Sequence, residues 1–303
     1  MERFVAEVLG QPALLDEFAG AKLPRARRGS IFVGAGDSYA AALEGFYASN
    51  GRCIAVDPYH LASAPEMADG VDVFLISVSG RTSSNLEAAK RVRRYARRTF
   101  AITADERSRL AALVDEVVAL PIRYVPRTPG LATFSLSLLA VLRAAGPRQK
   151  CDFRAALDYA AKDRGAITWR RGTNYFLGNK FAYPVSLYAS AKTNEFLGLK
   201  AHPEALEEFS HLEIFELEKS DSVNIFASFD PMDESGKLAR ELVRGGYGTR
   251  VVPGRGGTVL ERVFHDVFTT QLSVLKEAAD AGLTEPRFLS SGSRLGASDS
   301  MIY

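Results

Sequence analysis

The run Ser77-Val78-Ser79-Gly80-Arg81-Thr82-Ser83-Ser84 sets five hydroxyl side chains within eight positions, directly behind the apolar stretch Val73-Phe74-Leu75-Ile76. Where a strand ends and a helix begins, the first backbone N–H groups of the helix have no partner within it, and the helix dipole favours negative charge. Ser77, Ser79 and Thr82 add side-chain donors, and Gly80 lets the main chain approach a guest closely. The chemistry that suits this composition is anion binding, of a phosphate above all; helix capping by Ser and Thr is the plainer use of such residues. A second turn, Gly34-Ala35-Gly36-Asp37-Ser38, follows the apolar run Ile31-Phe32-Val33. It lacks the third glycine and the downstream acid of a dinucleotide fingerprint, so it is expected to complete a sugar-phosphate pocket. Gly36 would supply close approach, and Ser38 a donor to the phosphate or a sugar hydroxyl. Asp37 either caps a helix or touches substrate. Thr133, at the start of a later helix, is a third candidate donor.

These groups need elements to hold them. From Gly29 onward short apolar runs alternate with helical patterns, with strands expected over 30–33, 53–56, 71–76, 99–103 and 116–120. Helices are expected over 39–50, 61–67, 83–97, 107–113 and 131–145. Nearly continuous apolar strands, each followed by a helix, imply a parallel sheet covered on both faces. Ligands of such sheets lie beyond the carboxyl ends of the strands, where the connections reverse direction, and both loops fall at such ends. The basic run Arg91, Arg93, Arg94, Arg97 and Arg98 reads as the solvated C-terminal end of a helix. Residues 145–150 read as a linker.

The second half repeats the first. Phe32-Val33-Gly34-Ala35-Gly36-Asp37-Ser38-Tyr39 is echoed by Phe176-Leu177-Gly178-Asn179-Lys180-Phe181-Ala182-Tyr183, and the run 71–77 by 222–228. The expected fold class is therefore α/β, in two tandem domains over 1–148 and 149–303. Each is a parallel sheet flanked by helices, a three-layer α/β/α arrangement of flavodoxin type. In the second copy Phe229-Asp230-Pro231-Met232 stands where the hydroxyl loop would be, so the first copy binds the anion and the second is released for other work. The tail over 289–303, rich in Ser and Gly, is expected to be irregular, either closing over the pocket or hanging loose.

Composition bounds the rest. The 303 residues are 47% hydrophobic and 24% charged, with 38 basic against 36 acidic residues and a net charge of +2. That balance argues against a nucleic-acid partner. The two cysteines, Cys53 in an expected buried strand and Cys151, lack metal-ligand spacing, so free thiols, a reducing compartment and no metal are expected. The acidic, amphipathic start is unlike a signal peptide, and no apolar run reaches membrane-spanning length, so no membrane partner and a cytoplasmic location are expected.

Ser77-Val78-Ser79-Gly80-Arg81-Thr82, preceded by Gly34-Ala35-Gly36-Asp37-Ser38 and carried on a duplicated α/β unit, resembles the sugar isomerase (SIS) domain family over essentially the whole chain. The resemblance extends to the isomerase half of glucosamine-6-phosphate synthase, to archaeal glucosamine-6-phosphate deaminases and to archaeal phosphoglucose/phosphomannose isomerases. With no glutaminase segment ahead of it, glutamine-dependent amination is not expected of this chain. The resemblance points to Glu195, in Lys192-Thr193-Asn194-Glu195-Phe196, as the proton-transfer base. It points to His211, in Glu207-Glu208-Phe209-Ser210-His211, as the ring-opening acid, with Glu208 orienting the loop and His202 a rival to His211. The family implies a homodimer with His211 acting across the interface, and no cofactor. Two departures stand out: Ser291 falls where relatives carry a C-terminal lysine, and Arg81 where they carry Glu or Asn. Arg81 either adds a charge-assisted phosphate contact or faces solvent.

The chemistry agrees with the implied roles. A carboxylate over C1 and C2 of an opened sugar can move a proton between them through an enediol, burial raising its basicity, and a histidine can protonate the ring oxygen near neutral pH. The leading expectation is a phosphosugar isomerase acting on a hexose 6-phosphate. A glucosamine-6-phosphate deaminase and a non-catalytic phosphosugar sensor are the alternatives.

Overall fold

Runs of three to six residues, most of them largely apolar, form parallel strands in the computed structural model, which describes every residue except Phe229 and Pro231. The reading of 229–232 as the displaced anion loop therefore falls partly outside the described residues. The chain runs α1 (Glu2–Ala19), β1 (Ile31–Val33), α2 (Asp37–Ala48), β2 (Ile54–Val56), α3 (Pro58–Ser63), β3 (Asp72–Ile76), α4 (Ser83–Val92), β4 (Arg98–Thr103), β5 (Glu116–Ala119) and α5 (Ala132–Ala145). It continues α6 (Phe153–Asp163), β6 (Asn174–Leu177), α7 (Ala182–Lys192), β7 (Ala201–Glu204), α8 (Leu206–His211), β8 (Ser222–Phe226), α9 (Ser235–Arg244), β9 (Gly248–Val252), α10 (Val259–Asp280) and α11 (Gly292–Ile302).

The first sheet has the order β2-β1-β3-β4-β5 and the second β7-β6-β8-β9, every described pairing being parallel. The two orders are the same apart from a fifth strand on the first, which is the duplication written in topology. Two compact units result, one of Ala13–Arg148 with Gly292–Tyr303, the other of Met1–Pro12 with Gln149–Ser291. The division at 148/149 is thus one unit boundary, and the two chain ends are exchanged relative to a simple cut there. The tail is helical over α11, not irregular as its Ser and Gly content suggested.

The first sheet is held by an aromatic ladder. Phe32, Phe74 and Phe100 are aligned in register across β1, β3 and β4, with ring centroids 4.9 and 4.5 Å apart. A Cβ on Gly45 of α2 would lie 2.8 Å from both the Phe32 ring and Val141 of α5, so glycine there lets α2 press against the ladder. On the other face Ile31, Val33, Val73, Leu75 and Ala101 pack with Leu61, Leu86 and Val92. In the second sheet Tyr175, Leu177, Val223 and Ile225 pack with Phe209 and Leu242. There α10, buried along most of its length, packs against α6 and α7.

Four local expectations change. β2 is an edge strand with Ile54 exposed, although Cys53 just before it is buried. Only a short 3-10 turn, Ala111–Leu113, forms within 107–113. α4 stops at Val92, because the chain must turn back into β4. Of the basic run only Arg91 is therefore on the helix; Arg93 and Arg94 lie in the turn after it, Arg97 pairs with Asp72, buried at the start of β3, and Arg98 pairs with Glu116 across the strand pair. No described helix is long and apolar enough to cross a membrane.

His265 is buried on α10, its Nδ1 2.8 Å from Asp266 Oδ1 and its Nε2 3.1 Å from Asp163 Oδ2. Arg255 also donates to Asp163, and this guanidinium, ahead of the imidazole, holds the Asp163 carboxyl below its ordinary value. Burial pushes Asp266 up. A depressed carboxyl stabilises the fold above the unfolded-state value, near 4, and that stabilisation is lost as pH falls through the lower folded value. Asp163→Asn is expected to cost about 2 kcal/mol at neutral pH. It should also flatten the decline of stability below about pH 4, read from urea midpoints across pH; an unchanged acid limb would remove Asp163 from this role.

Candidate active site

The candidate groups fall into two sets, one in each unit. In the unit of the first sheet, β1 and β3 are hydrogen-bonded neighbours from which the strand order departs in opposite directions. Their C-terminal loops lie side by side at the place where open α/β sheets take ligands. Gly34 is pressed against the start of α2, where a Cβ would stand 2.3 Å from the Ser38 carbonyl oxygen. Gly36 has φ 57° at the N-cap of α2, with no side-chain cap bond. Ser38, half-buried, follows in the first turn of that helix.

The second loop is tied internally by its own hydroxyls. Ser77 and Ser79 are buried; Ser77 Oγ lies 3.2 Å from Thr82 Oγ1, and Ser79 Oγ accepts from the Arg81 amide at 3.2 Å. Thr82 is the N-cap residue of α4 but makes no side-chain capping bond, so its hydroxyl is not put to the plainer use. Gly80 has φ +59°, donates to the Ser77 carbonyl at 3.0 Å and accepts from the Leu110 amide at 3.0 Å. A Cβ there would sit 2.1 Å from Ser108 Oγ. The result is a tight turn with buried hydroxyls at an uncapped helix start, a kind of arrangement able to take an anion.

Thr133 lies in the first turn of α5. The Cβ position of the nearby Gly130 is 3.5 Å from Thr133 Oγ1 and 2.5 Å from Asp37 Oδ2, so the starts of α2 and α5 meet at Gly130. Asp37 therefore abuts the start of α5. Arg81 is exposed, yet its charge acts on Tyr124. Burial and a hydrogen bond with Tyr303 raise Tyr124 above its ordinary value. Arg127 pairs with Asp299 at 3.0 Å, and α11 packs on α4. The C-terminal helix thus belongs to the same unit as the anion loop and rests on the helix which that loop begins.

In the other unit, α7 runs into a π-helical turn, Thr193–Leu197, closed by Gly198 in the left-handed region at φ +66°. Such turns occur disproportionately at functional sites. Phe196 and Thr193 point inward: the Phe196 ring meets Phe4 edge-on at 5.4 Å, and Thr193 Oγ1 accepts from Trp169 at 3.1 Å. Glu195 is left one-third exposed, its Oε2 2.5 Å from the ammonium of Lys192, a side chain with no solvent exposure. Lys192 also lies 5.1 Å from the Tyr188 ring centroid.

Lys192, in the same segment as Glu195, is a residue that the sequence pattern did not mark out. The available signal was a lone lysine ending an otherwise apolar and small-residue helix. Burial was the expected source of Glu195 basicity; the structure instead sets a buried cation against a partly exposed carboxylate. His211 and Glu208 are exposed on α8, and His211 Nε2 lies 3.2 Å from Glu207. His202 is drawn toward Glu204 and Glu213. Ser291 ends its unit just before α11.

The second copy reproduces the first loop in backbone only. A Cβ on Gly178 would lie 2.5 Å from the Ala182 carbonyl, as Gly34 does against Ser38, but the hydroxyl of Ser38 has become Ala182 and Gly36 has become Lys180, at φ 49°. This edge of the second sheet holds a cavity of about 240 Å³ lined in part by Lys180, Phe181, Ser228, Arg262 and Asp266.

No family model and no curated protein matches the sequence. Solved structures do match the fold. Glucosamine-6-phosphate deaminase from Thermotoga maritima superposes with a TM-score of 0.75 at 21% identity, over 92% of this chain and 95% of that one. The C-terminal domain of glucosamine-fructose-6-phosphate aminotransferase from Francisella tularensis gives 0.73 at 16% identity, over 93% and 97%. Tagatose-6-phosphate ketose/aldose isomerase from Escherichia coli gives 0.65 at 16% identity, over 94% and 90%. The fold is that of these phosphosugar proteins, two parallel sheets flanked by helices.

Gly80→Ala tests the loop. A side chain forced into the left-handed region and onto Ser108 is expected to cost about 1–3 kcal/mol, read as a lowered urea midpoint, and to abolish thermal stabilisation by phosphate. Adding Ser108→Gly should recover part of the loss. A variant that melts like the parent would show that the loop does not have this shape.

Proposed function

We propose that this protein is a phosphosugar isomerase of the sugar isomerase domain family, interconverting the aldose and ketose forms of a hexose 6-phosphate without a cofactor. The observation that carries the reaction is the Lys192–Glu195 pair: a partly exposed carboxylate, fixed on a π-turn by a fully buried ammonium. The hydroxyl loop supports a phosphate as the substrate's handle, its donors coming from Ser77, Ser79, Thr82 and the start of α4, with Gly36, Ser38 and Thr133 on the neighbouring loops.

In this reading His211 gives a proton to the ring oxygen while the C1 hydroxyl loses one, opening the ring. Glu195 takes the proton from C2 of the aldose, and the C1 oxygen is protonated, giving the enediol. Glu195 returns its proton to C1 as the C2 hydroxyl loses one, and the ketose results. Every proton removed is returned, so no outside oxidant or reductant is needed. The buried ammonium of Lys192 holds the Glu195 carboxylate in a fixed position at the margin of the interior. Exposure of His211 suits a residue that serves a partner subunit's site, so we assign the protein a homodimeric state. Ammonia release from glucosamine 6-phosphate would use the same proton transfer; likeness to the Thermotoga deaminase keeps that reaction beside isomerisation.

Purified protein given fructose 6-phosphate, glucose 6-phosphate or glucosamine 6-phosphate should interconvert aldose and ketose, with ammonia followed in parallel. Ammonia release would replace the isomerase assignment by the deaminase one; binding with no turnover on any sugar would leave a sensor. Glu195→Gln is expected to lower kcat by about 10²–10⁴-fold with sugar-phosphate binding retained, and unchanged kcat would dismiss Glu195 as the base. A dimer is expected by size-exclusion chromatography. Mixing inactive Glu195→Gln and His211→Asn chains should restore part of the activity through hybrid dimers; no recovery would place His211 outside the partner's site.

A further inference from the structure

We propose that His202, Glu204 and Glu213 bind one divalent transition-metal ion of the zinc type, which clamps the two ends of the segment carrying His211. His202 and Glu204 stand two apart on β7 and so share a face of that edge strand. Glu213 opens the 3-10 turn Glu213–Glu216, immediately beyond α8. One donor atom from each of the three lies within 4.8 Å of the others. His202 Nε2 is 3.5 Å from Glu213 Oε1 and 3.8 Å from Glu204 Oε2. Two ligands bound at about 2.0–2.1 Å to a tetrahedral ion stand about 3.3 Å apart, so modest tightening brings these atoms to ligand spacing.

The second observation is independent of spacing. His202 Nε2 and Glu213 Oε2 are buried from solvent without a hydrogen-bond partner. Buried polar atoms are ordinarily paired, and a cation satisfies a neutral imidazole nitrogen and a carboxylate oxygen at once. The surroundings already fix the donors. Glu204 Oε1 accepts from the Ala205 amide at 2.7 Å, orienting that carboxylate, and Tyr175 donates to Glu216 at 3.0 Å, anchoring the turn that carries Glu213. The Tyr175 ring meets the imidazole at 6.0 Å between centroids.

One imidazole and two carboxylates suit zinc better than magnesium or calcium, which take oxygen donors alone, or copper(I), which prefers sulfur. Three protein ligands leave a position for water. The ligands bracket α8, the helix bearing Glu207, Glu208 and His211, so an ion here restrains both of its ends. Ion binding is independent of the reaction proposed above; only the consequence for His211 rests on it.

Chelator-treated full-length protein should bind zinc chloride by titration calorimetry, one ion per chain, and magnesium chloride not at all under the same conditions. His202→Ala and Glu213→Ala should each weaken zinc binding at least tenfold, while His60→Ala, at a histidine elsewhere on the surface, should not. Circular dichroism confirms that the variants fold. Zinc should slow amide hydrogen exchange over 205–216 in the parent and not in His202→Ala. Absence of zinc binding, or affinity unchanged in both His202→Ala and Glu213→Ala, overturns the site; binding without altered exchange overturns the clamp.

Discussion

A parallel sheet sends every strand in the same direction, so each helix that follows a strand begins at one edge. That constraint brings the start of α2 and the start of α4 to neighbouring positions above β1 and β3. Helix starts carry backbone donors that the helix cannot use, and they must be met by side chains, water or a ligand. At α2 and α4 no side-chain cap is made. The hydroxyls that would ordinarily cap are spent on the loop itself, Thr82 meeting Ser77 and Ser79 meeting the Arg81 amide. The first turn of α4 thus has no side-chain cap, and Gly80, set against Ser108, keeps the main chain of the loop tight at that place.

The duplicated unit separates what the fold requires of this turn from what differs between the copies. Gly34 and Gly178 meet the same carbonyl of the following helix at nearly the same separation, so the close turn is a requirement of the fold. Four residues on, the copies diverge: Ser38 offers a hydroxyl and Ala182 a methyl. Gly36 and Lys180 both take positive φ, but Lys180 carries a charge that it shares with Asp230. The turn keeps its backbone path in both copies, while its side chains differ from small and hydroxyl-bearing in the first to charged and apolar in the second.

Much of this was legible because parallel strands advertise themselves. Ile31–Val33 and Val73 to Ile76 are buried on both faces and read as unbroken apolar runs, and the loops that follow them are defined by glycine and hydroxyl residues whose effects are local. What was not legible depends on partners distant in sequence. Arg97 looks like the end of a basic helix face until Asp72 is seen beneath it. Helix α11 has a composition that favours loops, and it is held by Tyr124 and Arg127, some 170 residues away. β7 reads poorly because Ala-His-Pro-Glu is half-buried at a sheet edge, where proline is tolerated and alternation is weak.

Lys192 shows why a residue can go unmarked in sequence although its partner Glu195 is picked out there. A lysine without solvent exposure keeps its charge only if the surroundings compensate it, since desolvation of a lone ammonium costs several kcal/mol or more. In a regular α-helix, residues three apart can pair on the surface, where both ends remain wet. Here the π-turn changes the path of the chain after α7, so that Thr193 and Phe196 are taken into the interior while Glu195 stays at its margin. The ammonium is dry, the carboxylate is reachable, and 2.5 Å separates them. Moving the carboxylate to the interior would satisfy Lys192 equally well but close it to any reactant. Leaving both in water would give up the fixed geometry. The widened turn is the local device that sets a buried ammonium beside a partly exposed carboxylate.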